Sequence, residues 1–381
     1  MLCNLATDLR HSFNAAVDSH AMTEMTRREY IYRQRFDFES GGHIDNLKIV
    51  YHISGDGQGA GQGNKVIWIC HALTANSDPS EWWPELVGPG KLIDTDRYTV
   101  VCANMLCSAY GSSGPSSEKD CVSGENGKDR YYFDFPKVTV RDIVKAEILL
   151  RKHLGISRID LLVGGSIGGF QAIEWAIMEP DTVAAAAFMA CGPRVTPWLT
   201  ANNEAQRMAI ESDVSFRRAE NLKCGETGLR AARAMALISY RSYEGYNLTQ
   251  QETDADTVFA GRAASYERYQ GKKLSDRFDA YSYYYLTCTI DSHNVGRGRG
   301  GVAEALGGIR AKTIVIGIDS DRLFPTCEQK EIADCIPGAE YHEITSRFGH
   351  DGFLLEYGQI SEILGPVLND NNNQINKICR Y

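Results

Sequence analysis

The chain has 381 residues, of which 43% are hydrophobic and 10% aromatic, so it can bury a sizeable core as two domains or as one enlarged α/β domain. Its formal net charge of −9 at pH 7 argues against a nucleic acid or an anionic membrane as a partner. No apolar stretch approaches the roughly 20 residues that a membrane-spanning helix requires. The 11 cysteines contain no C-x-x-C pair and the nine histidines occur singly. We therefore predict a reduced, cytoplasmic protein without a bound metal.

The N-terminal part of the chain combines an extension without a pattern and a predicted pair of strands. Residues 1–29 mix polar and apolar side chains and lack the apolar core of a signal peptide, so we predict a mobile extension. Residues 30–38 and 47–54 are typical of two antiparallel strands, joined through Ser40-Gly41-Gly42.

The rest of the chain alternates short strands with helices. Runs of strand length occur at 66–69, 98–103, 159–163, 184–190, 313–318 and 340–344, and helical patterns at 138–153 and 326–335. This alternation predicts an α/β fold with a mostly parallel central sheet flanked by helices. Between 193 and 306 one helical pattern follows another without a comparable strand, which indicates a helical lid insertion. The predicted core comprises 30–192 and 307–368, and a mobile tail follows at 369–381.

A glycine cluster around Ser166 follows the strand at 159–163. In Gly164-x-Ser166-x-Gly168 the residues two positions from the serine are small, as a sharp and strained strand-to-helix turn requires. The helical pattern that then runs to Pro180 would place Ser166 at a helix start, where backbone N–H groups stabilise negative charge. The spacing predicts either a nucleophilic serine or a glycine-rich turn that binds phosphate or only closes a βα unit.

A nucleophilic serine needs a histidine base and an acid that orients the histidine. In a hydrolase-type α/β fold the acid and then the histidine follow the serine, each on a loop after a strand. His293 lies in the insertion and His342 in a predicted strand, whereas His350 lies in a loop after the last strand and is the predicted base. Asp319 and Asp321 both follow an earlier strand, and the pattern alone does not decide which is the acid.

Two backbone N–H groups are candidates for an oxyanion hole beside this serine. One belongs to Ile167, the residue after Ser166, and the other to Leu73, in the loop after the strand at 66–69. His71 lies in the same loop but precedes the serine in the chain, so we expect it to pack the loop rather than act as the base.

Six separated motifs make the chain resemble the homoserine O-acetyltransferases of the α/β-hydrolase fold. In chain order they are His71-Ala72-Leu73-Thr74, the loop 111–117 ending in Gly-Pro-Ser-Ser, Phe135 to Asp142, Gly164 to Ala172, Ser320 to Pro325, and His350-Asp351-Gly352-Phe353-Leu354. The resemblance extends from Tyr30 to the end of the last helix. It implies a ping-pong reaction in which acetyl-CoA acylates Ser166 and the acetyl group passes to the side-chain hydroxyl of L-homoserine, in methionine biosynthesis.

The resemblance also implies roles for individual side chains. It aligns the acid with Asp321 and implies that Asp351 binds the ammonium group of homoserine. Within the stretch 232–242, Arg233 and Tyr240 lie two helical turns apart on one face, so both can point into one cavity. By similarity Arg233 would pair with the substrate carboxylate through its planar donor fork. The alternative for this stretch is an ordinary amphipathic lid helix with solvated arginines.

Relatives with this scaffold differ in their substrates, and the chain departs from the family pattern near the acyl pocket. Ala75 stands where glycine is usual, and Phe170 where methionine is common. Succinyl-CoA as donor, L-serine as acceptor and plain ester hydrolysis are therefore the alternatives. The resemblance implies no permanently bound cofactor and a homodimer formed through the lid. The tyrosine-rich run at 281–286 would be part of that contact or simply core.

Overall fold

The computed structural model describes residues 24–55, 64–119 and 129–378, with side chains as far as residue 369. Residues 1–23 of the predicted extension and residues 379–381 of the predicted tail lie outside the described residues.

A mostly parallel, eight-stranded sheet forms the centre of the molecule, which confirms the predicted α/β class. The strands in the described part of the chain are β1 (Met25–Tyr32), β2 (Phe36–Asp37), β3 (His43–Ile44), β4 (Leu47–Ser54), β5 (Val66–Cys70), β6 (Thr99–Ala103), β7 (Leu161–Gly165), β8 (Ala185–Met189), β9 (Lys312–Ile318) and β10 (Glu340–Ile344). The sheet has the order β1-β4-β6-β5-β7-β8-β9-β10, and β2 and β3 form a separate hairpin. The six strands from β6 to β10 run parallel, whereas β4 pairs antiparallel with both β1 and β6.

Helices cover both faces of this sheet. In the described ranges they are α1 (Pro79–Trp82), α2 (Val140–His153), α3 (Ile167–Met178), α4 (Pro197–Glu211), α5 (Glu226–Tyr240), α6 (Tyr243–Gln250), α7 (Arg262–Ser275), α8 (Ala280–Asp291), α9 (Val302–Gly307), α10 (Thr326–Cys335), α11 (Gly352–Leu355) and α12 (Tyr357–Ile378). Val144 of α2 and Phe170 of α3 join one hydrophobic cluster, and Ile360 of α12 joins another. Trp68 and Ile67, neighbours in β5, divide between the two clusters because successive strand residues face opposite sides of a sheet.

The first strand differs from the prediction at both of its ends. β1 begins at Met25, inside the predicted extension 1–29, and ends at Tyr32 rather than at residue 38. Its charged residues 27–29 are exposed at the edge of the sheet, where β4 is the one described strand that pairs with β1. An edge strand tolerates such charges, so this strand lacks the apolar run by which the inner strands are recognised. Of the remaining residues of the predicted strand, Phe36 and Asp37 form β2, which pairs with β3.

Six helices, α4 to α9, lie between β8 and β9, and this described stretch contains no strand of the sheet. We call residues 193–306 the lid. Tyr281 and Tyr283 of α8 are 0% exposed, so they belong to the core rather than to a surface free for dimer contact. At the C-terminus α12 continues to Ile378, so residues 369–378 of the predicted tail are helical. None of the helices in the described part of the chain combines the length and apolar character needed to cross a membrane.

Candidate active site

The turn at Ser166 has the strained geometry that its glycines predict. Ser166 joins β7 to α3 with φ of 59° and ψ of −128°, a combination rare for residues other than glycine. A Cβ atom on Gly164 would lie 2.2 Å from the carbonyl oxygen of Gly168, and one on Gly168 would lie 2.2 Å from the carbonyl oxygen of Cys70. Only glycine fits at either position. The start of α3 therefore lies directly against the end of β5, with Ser166 at the tip of the turn.

Gly165 allows the loop of His350 to pack onto this turn. A Cβ atom on Gly165 would lie 2.5 Å from the ring of Phe353 in α11. The ring centre of Phe353 lies 5.4 Å from that of the His350 imidazole. Because Gly165 has no side chain, α11 approaches the residue next to Ser166. The glycine cluster thus positions the histidine loop as well as the serine.

His350 and Asp321 form a buried pair. Nδ1 of His350 lies 2.7 Å from Oδ2 of Asp321, and the two side chains are 5% and 0% exposed. Oδ1 of Asp321 accepts the backbone N–H groups of Leu323 and Phe324 at 2.8 and 2.9 Å, which fixes the carboxylate. Since Nδ1 donates its proton to the carboxylate, Nε2 is the nitrogen that can act as a base.

The contacts of the two aspartates after β9 are different. Oδ1 of Asp319 accepts the N–H of Ser346 at 3.0 Å, and the N–H of Asp319 donates to the carbonyl of Ile344 at 3.1 Å. Asp319 therefore ties the loop after β9 to the end of β10. Asp321 is the aspartate that contacts His350, at the position to which the family resemblance assigns the acid.

The other two histidines downstream of Ser166 have structural contacts. His293 stacks on Phe170 with ring centres 3.8 Å apart, and its Nε2 donates to the carbonyl of Gly192 at 3.1 Å. Burial lowers the pKa of His293 to about 3. His342 lies in β10, with Nε2 3.6 Å from the carboxylate of Glu340. Within the described ranges, His, Cys, Asp and Glu side chains nowhere converge in groups of three as metal ligands would.

The two candidate oxyanion donors lie at the start of a helix and in a tight turn. Ile167 is the first residue of α3, so its N–H has no acceptor within the helix. Leu73 lies in a turn that is closed by the N–H of Ala75, which donates to the carbonyl of Ala72 at 3.0 Å. In such a turn the N–H of the second residue takes no part in the closing hydrogen bond.

His71 holds the chain at the beginning of that turn. Its Nδ1 lies 2.9 Å from the carbonyl oxygen of Ala72, and its Nε2 lies 3.0 Å from the backbone nitrogen of Met105. Nδ1 therefore donates and Nε2 accepts, which requires a neutral imidazole. Burial lowers the pKa of His71 to about 4, so it stays neutral at physiological pH. His71 packs the loop, as its position before the serine led us to expect.

The lid helix α5 carries two of the predicted substrate-binding side chains toward His350. The ring centre of Tyr240 lies 5.7 Å from that of the imidazole, and the guanidinium carbon of Arg233 lies 5.8 Å from the Tyr240 ring centre. Asp351 already has a cationic partner, because its Oδ2 lies 2.7 Å from Nε of Arg241. Sequence reasoning missed this ion pair, although Arg241 directly follows Tyr240 in the lid motif.

Glu328, in the first turn of α10, is a further carboxyl group near the site that sequence reasoning missed. Burial, and then the neighbouring Asp321, raise its pKa to about 7, while Arg194 opposes this shift. Its Oε2 is buried without a hydrogen-bond partner among the described residues. A Cβ atom on Gly192 would lie 2.0 Å from that oxygen, so the carboxyl group lies against bare backbone. In the sequence, Glu328 is indistinguishable from an ordinary acidic residue of a first helical turn.

Comparisons with known proteins identify the family and the fold. The family model of the α/β-hydrolase fold matches residues 65–357. A homoserine O-acetyltransferase from Cyclobacterium marinum is 40% identical over 353 residues, which cover 93% of this chain and 98% of that protein. The crystal structure of homoserine O-acetyltransferase from Bacillus anthracis has a TM-score of 0.81 at 24% identity, covering 91% of this chain and 98% of the other. The structure of esterase E22 has a TM-score of 0.80 at 22% identity, covering 90% of this chain and 100% of the other, and shares the fold. The chain belongs to the homoserine O-acetyltransferase family of the α/β-hydrolase fold.

Proposed function

We propose that this protein transfers an acetyl group from acetyl-CoA to the side-chain hydroxyl of L-homoserine through an acyl-Ser166 intermediate. The proposal depends on the 2.7 Å pair of His350 and Asp321 and on a serine in a glycine-bounded turn, onto which the histidine loop packs through Phe353. Such a constellation activates a hydroxyl group as a nucleophile. Membership of the family supports the choice of substrates.

In the first half-reaction, Oγ of Ser166 attacks the thioester carbonyl while Nε2 of His350 takes the hydroxyl proton. Asp321 stabilises the imidazolium that forms. The N–H groups of Leu73 and Ile167 bind the oxyanion, and each such donor lowers the barrier by about 3 kcal/mol. The carbon–sulfur bond then breaks, the CoA thiolate takes the proton from His350, and an acetyl ester of Ser166 remains.

In the second half-reaction, the hydroxyl of homoserine attacks this ester. His350 removes the hydroxyl proton and returns it to Oγ of Ser166 as the ester bond to the serine breaks. Arg233 binds the substrate carboxylate, for which a planar guanidinium is well suited, with Tyr240 lining the same cavity. Asp351 attracts the ammonium group. Because Oδ2 of Asp351 contacts Arg241, we expect the ammonium to bind at Oδ1.

Four further parts of the proposal are supported by the family resemblance or, for the cytoplasmic location, by the scattered cysteines of the sequence. Acetyl-CoA rather than succinyl-CoA is the donor, no cofactor is permanently bound, the protein is cytoplasmic, and it forms a homodimer through the lid. The lid helices expose Met208 and Ile238 to 63% and 66%, and a second copy would cover such apolar side chains.

The release of free thiol from acetyl-CoA, measured with and without L-homoserine, tests this proposal. We expect sustained release only when homoserine is present, and none from Ser166→Ala. Succinyl-CoA as donor and L-serine as acceptor should react more slowly. Equal release with and without homoserine would contradict the transferase assignment and indicate an acyl hydrolase, a class that shares this fold.

A further inference from the structure

The turn that carries Leu73 is held from the lid as well as from the core. On the core side, the N–H of Ser77 donates to Oδ1 of Asn104 at 2.9 Å, and Nδ2 of Asn104 donates to Oγ of Ser77 at 2.8 Å. On the lid side, Nη1 of Arg277 donates to the carbonyl oxygen of Thr74 at 2.6 Å. Thr74 directly follows Leu73 in the turn. One lid arginine therefore fixes a peptide group of the turn that presents the Leu73 N–H.

Neighbouring contacts hold Arg277 in place. Arg277 lies between α7 and α8, and its N–H donates to the carbonyl of Leu274 at 3.0 Å. The next residue, Phe278, is 5% exposed and meets the ring of Tyr110 edge-on, with ring centres 5.6 Å apart. The Tyr110 hydroxyl accepts from the Arg277 guanidinium and donates to the carbonyl of Thr74 at 3.3 Å. That carbonyl thus accepts one hydrogen bond from the lid and one from the core.

Arg277 donates hydrogen bonds to neutral oxygen atoms rather than forming an ion pair with a carboxylate. Its side-chain contacts in the described part of the chain are the Thr74 carbonyl and the Tyr110 hydroxyl, and neither is anionic. A guanidinium that binds a backbone carbonyl restrains the direction of that peptide group, because hydrogen bonds to charged donors are short and directional. The N–H of Ala75, which belongs to the same peptide group as the Thr74 carbonyl, donates the hydrogen bond that closes the turn.

We propose that Arg277 is a positioning residue. When the lid is packed against the core, Arg277 holds the turn so that the Leu73 N–H completes the oxyanion hole. This inference rests on the proposed acyl transfer through Ser166, in which the Leu73 N–H is one of the two donors. When the Thr74 carbonyl is released, the turn gains freedom to rotate and the Leu73 N–H moves away from the oxyanion. Loss of a whole donor costs about 10²- to 10³-fold in kcat, so a loosened donor should cost about 10- to 100-fold.

The acylation of Ser166 by p-nitrophenyl acetate, followed as the burst of nitrophenol, tests this role without an acceptor. We expect Arg277→Ala to lower the acylation rate constant by about 10- to 100-fold while the KM for the ester changes little. Arg277→Lys should recover part of the rate, because an ammonium group can donate to the same carbonyl. Tyr110→Phe removes the second donor and should lower the rate less. If Arg277→Ala does not fold, the acylation rates of Arg277→Lys and Tyr110→Phe provide the test.

Arg262 provides a matched control for the arginine itself. It is also an exposed lid arginine that donates to a backbone carbonyl, that of Gln251 at 3.1 Å, but this contact stays within the lid. Arg262→Ala should acylate at the wild-type rate. Wild-type acylation in Arg277→Ala, or a loss that Arg277→Lys does not reduce and that follows the thermal unfolding midpoint, would overturn the inference. Failure of the proposed function is distinct, because the wild-type protein would then show no burst that depends on Ser166.

Discussion

Asp321 and Asp319 both follow β9 but contact different groups. Asp321 contacts the imidazole of His350, whereas Asp319 accepts the N–H of Ser346. We predict that Asp321→Asn lowers kcat for thiol release by about 10³- to 10⁴-fold, because an amide neither fixes the imidazole tautomer nor stabilises the imidazolium. Asp319→Asn should leave kcat almost unchanged, since an amide oxygen can still accept the Ser346 N–H. A larger loss in Asp319→Asn than in Asp321→Asn would assign the acid to the other aspartate.

Glu147 in α2 should make folding stability depend on pH. Its side chain is 2% exposed, and neither carboxyl oxygen has a hydrogen-bond partner among the described residues. Burial raises its pKa well above the ordinary value of 4.5. The folded protein therefore binds a proton that the unfolded chain releases above that value. As far as Glu147 is concerned, the free energy of unfolding is fully retained below pH 4.5. It falls by about 1.4 kcal/mol per pH unit as the pH rises above 4.5 toward the pKa of the folded state.

Urea unfolding of Glu147→Leu at pH 5 and pH 8 measures this effect. We expect the variant to gain more stability relative to wild type at pH 8 than at pH 5, because leucine removes the cost of ionising a buried carboxyl group. Glu362→Gln, on the exposed side of α12, should show the same difference from wild type at both pH values. An equal effect of Glu147→Leu at the two pH values would show that Glu147 does not titrate in this range.

At the scale of elements, the strand–turn–helix unit of β7, Ser166 and α3 requires glycine at position 168, where a Cβ atom has no space. We predict that Gly168→Ala lowers the free energy of unfolding by about 1–3 kcal/mol, because its Cβ would lie 2.2 Å from the Cys70 carbonyl and must push α3 away from β5. Gly358→Ala is the matched control, since no atom of the described residues lies within 4 Å of the added atom, and should be neutral or slightly stabilising in α12. Chemical denaturation checks both variants. Equal stability of the two would show that the turn can accommodate a Cβ atom at position 168.

The elements differ in how well the sequence predicts them, and burial explains the difference. β5 and β8 are buried at every residue, so their apolar runs predict strands within a residue or so of the observed bounds. β1 is exposed along its charged residues and begins before the predicted strand. The choice between Asp319 and Asp321 depends on contacts with residues after β10, and spacing along the chain does not contain that information.

At the scale of the whole molecule, the proposed site is divided between the core and the lid. The core supplies the nucleophile and the base, and α5 of the lid brings Tyr240 beside His350, with Arg233 next to Tyr240. The order of the serine, an acid and the histidine along the chain predicts Ser166 and His350 and limits the acid to Asp319 or Asp321. The ion pair of Arg241 with Asp351 and the contact of Arg277 with Thr74 link distant segments by polar groups, for which the sequence offers no periodic signal.

This division predicts that a lid variant can affect one half-reaction alone. Arg233→Lys should raise the KM for L-homoserine by about 10- to 100-fold, because lysine does not provide a bidentate fork for the carboxylate. The burst of Ser166 acylation, which needs no homoserine, should be unchanged. Arg230→Lys, one turn earlier on α5 and paired with Glu226, serves as the control and should leave both quantities unchanged. A slower burst in Arg233→Lys would mean that the arginine acts on the acyl donor.

Mass spectrometry of the protein mixed with acetyl-CoA alone tests whether Ser166 carries the acetyl group between donor and acceptor. We expect one acetyl group to accumulate on the peptide containing Ser166, and added L-homoserine to remove it with formation of O-acetylhomoserine. Ser166→Ala should remain unmodified. Absence of acetyl from Ser166, or its loss to water at the same rate with and without homoserine, would contradict acyl transfer through Ser166 to homoserine.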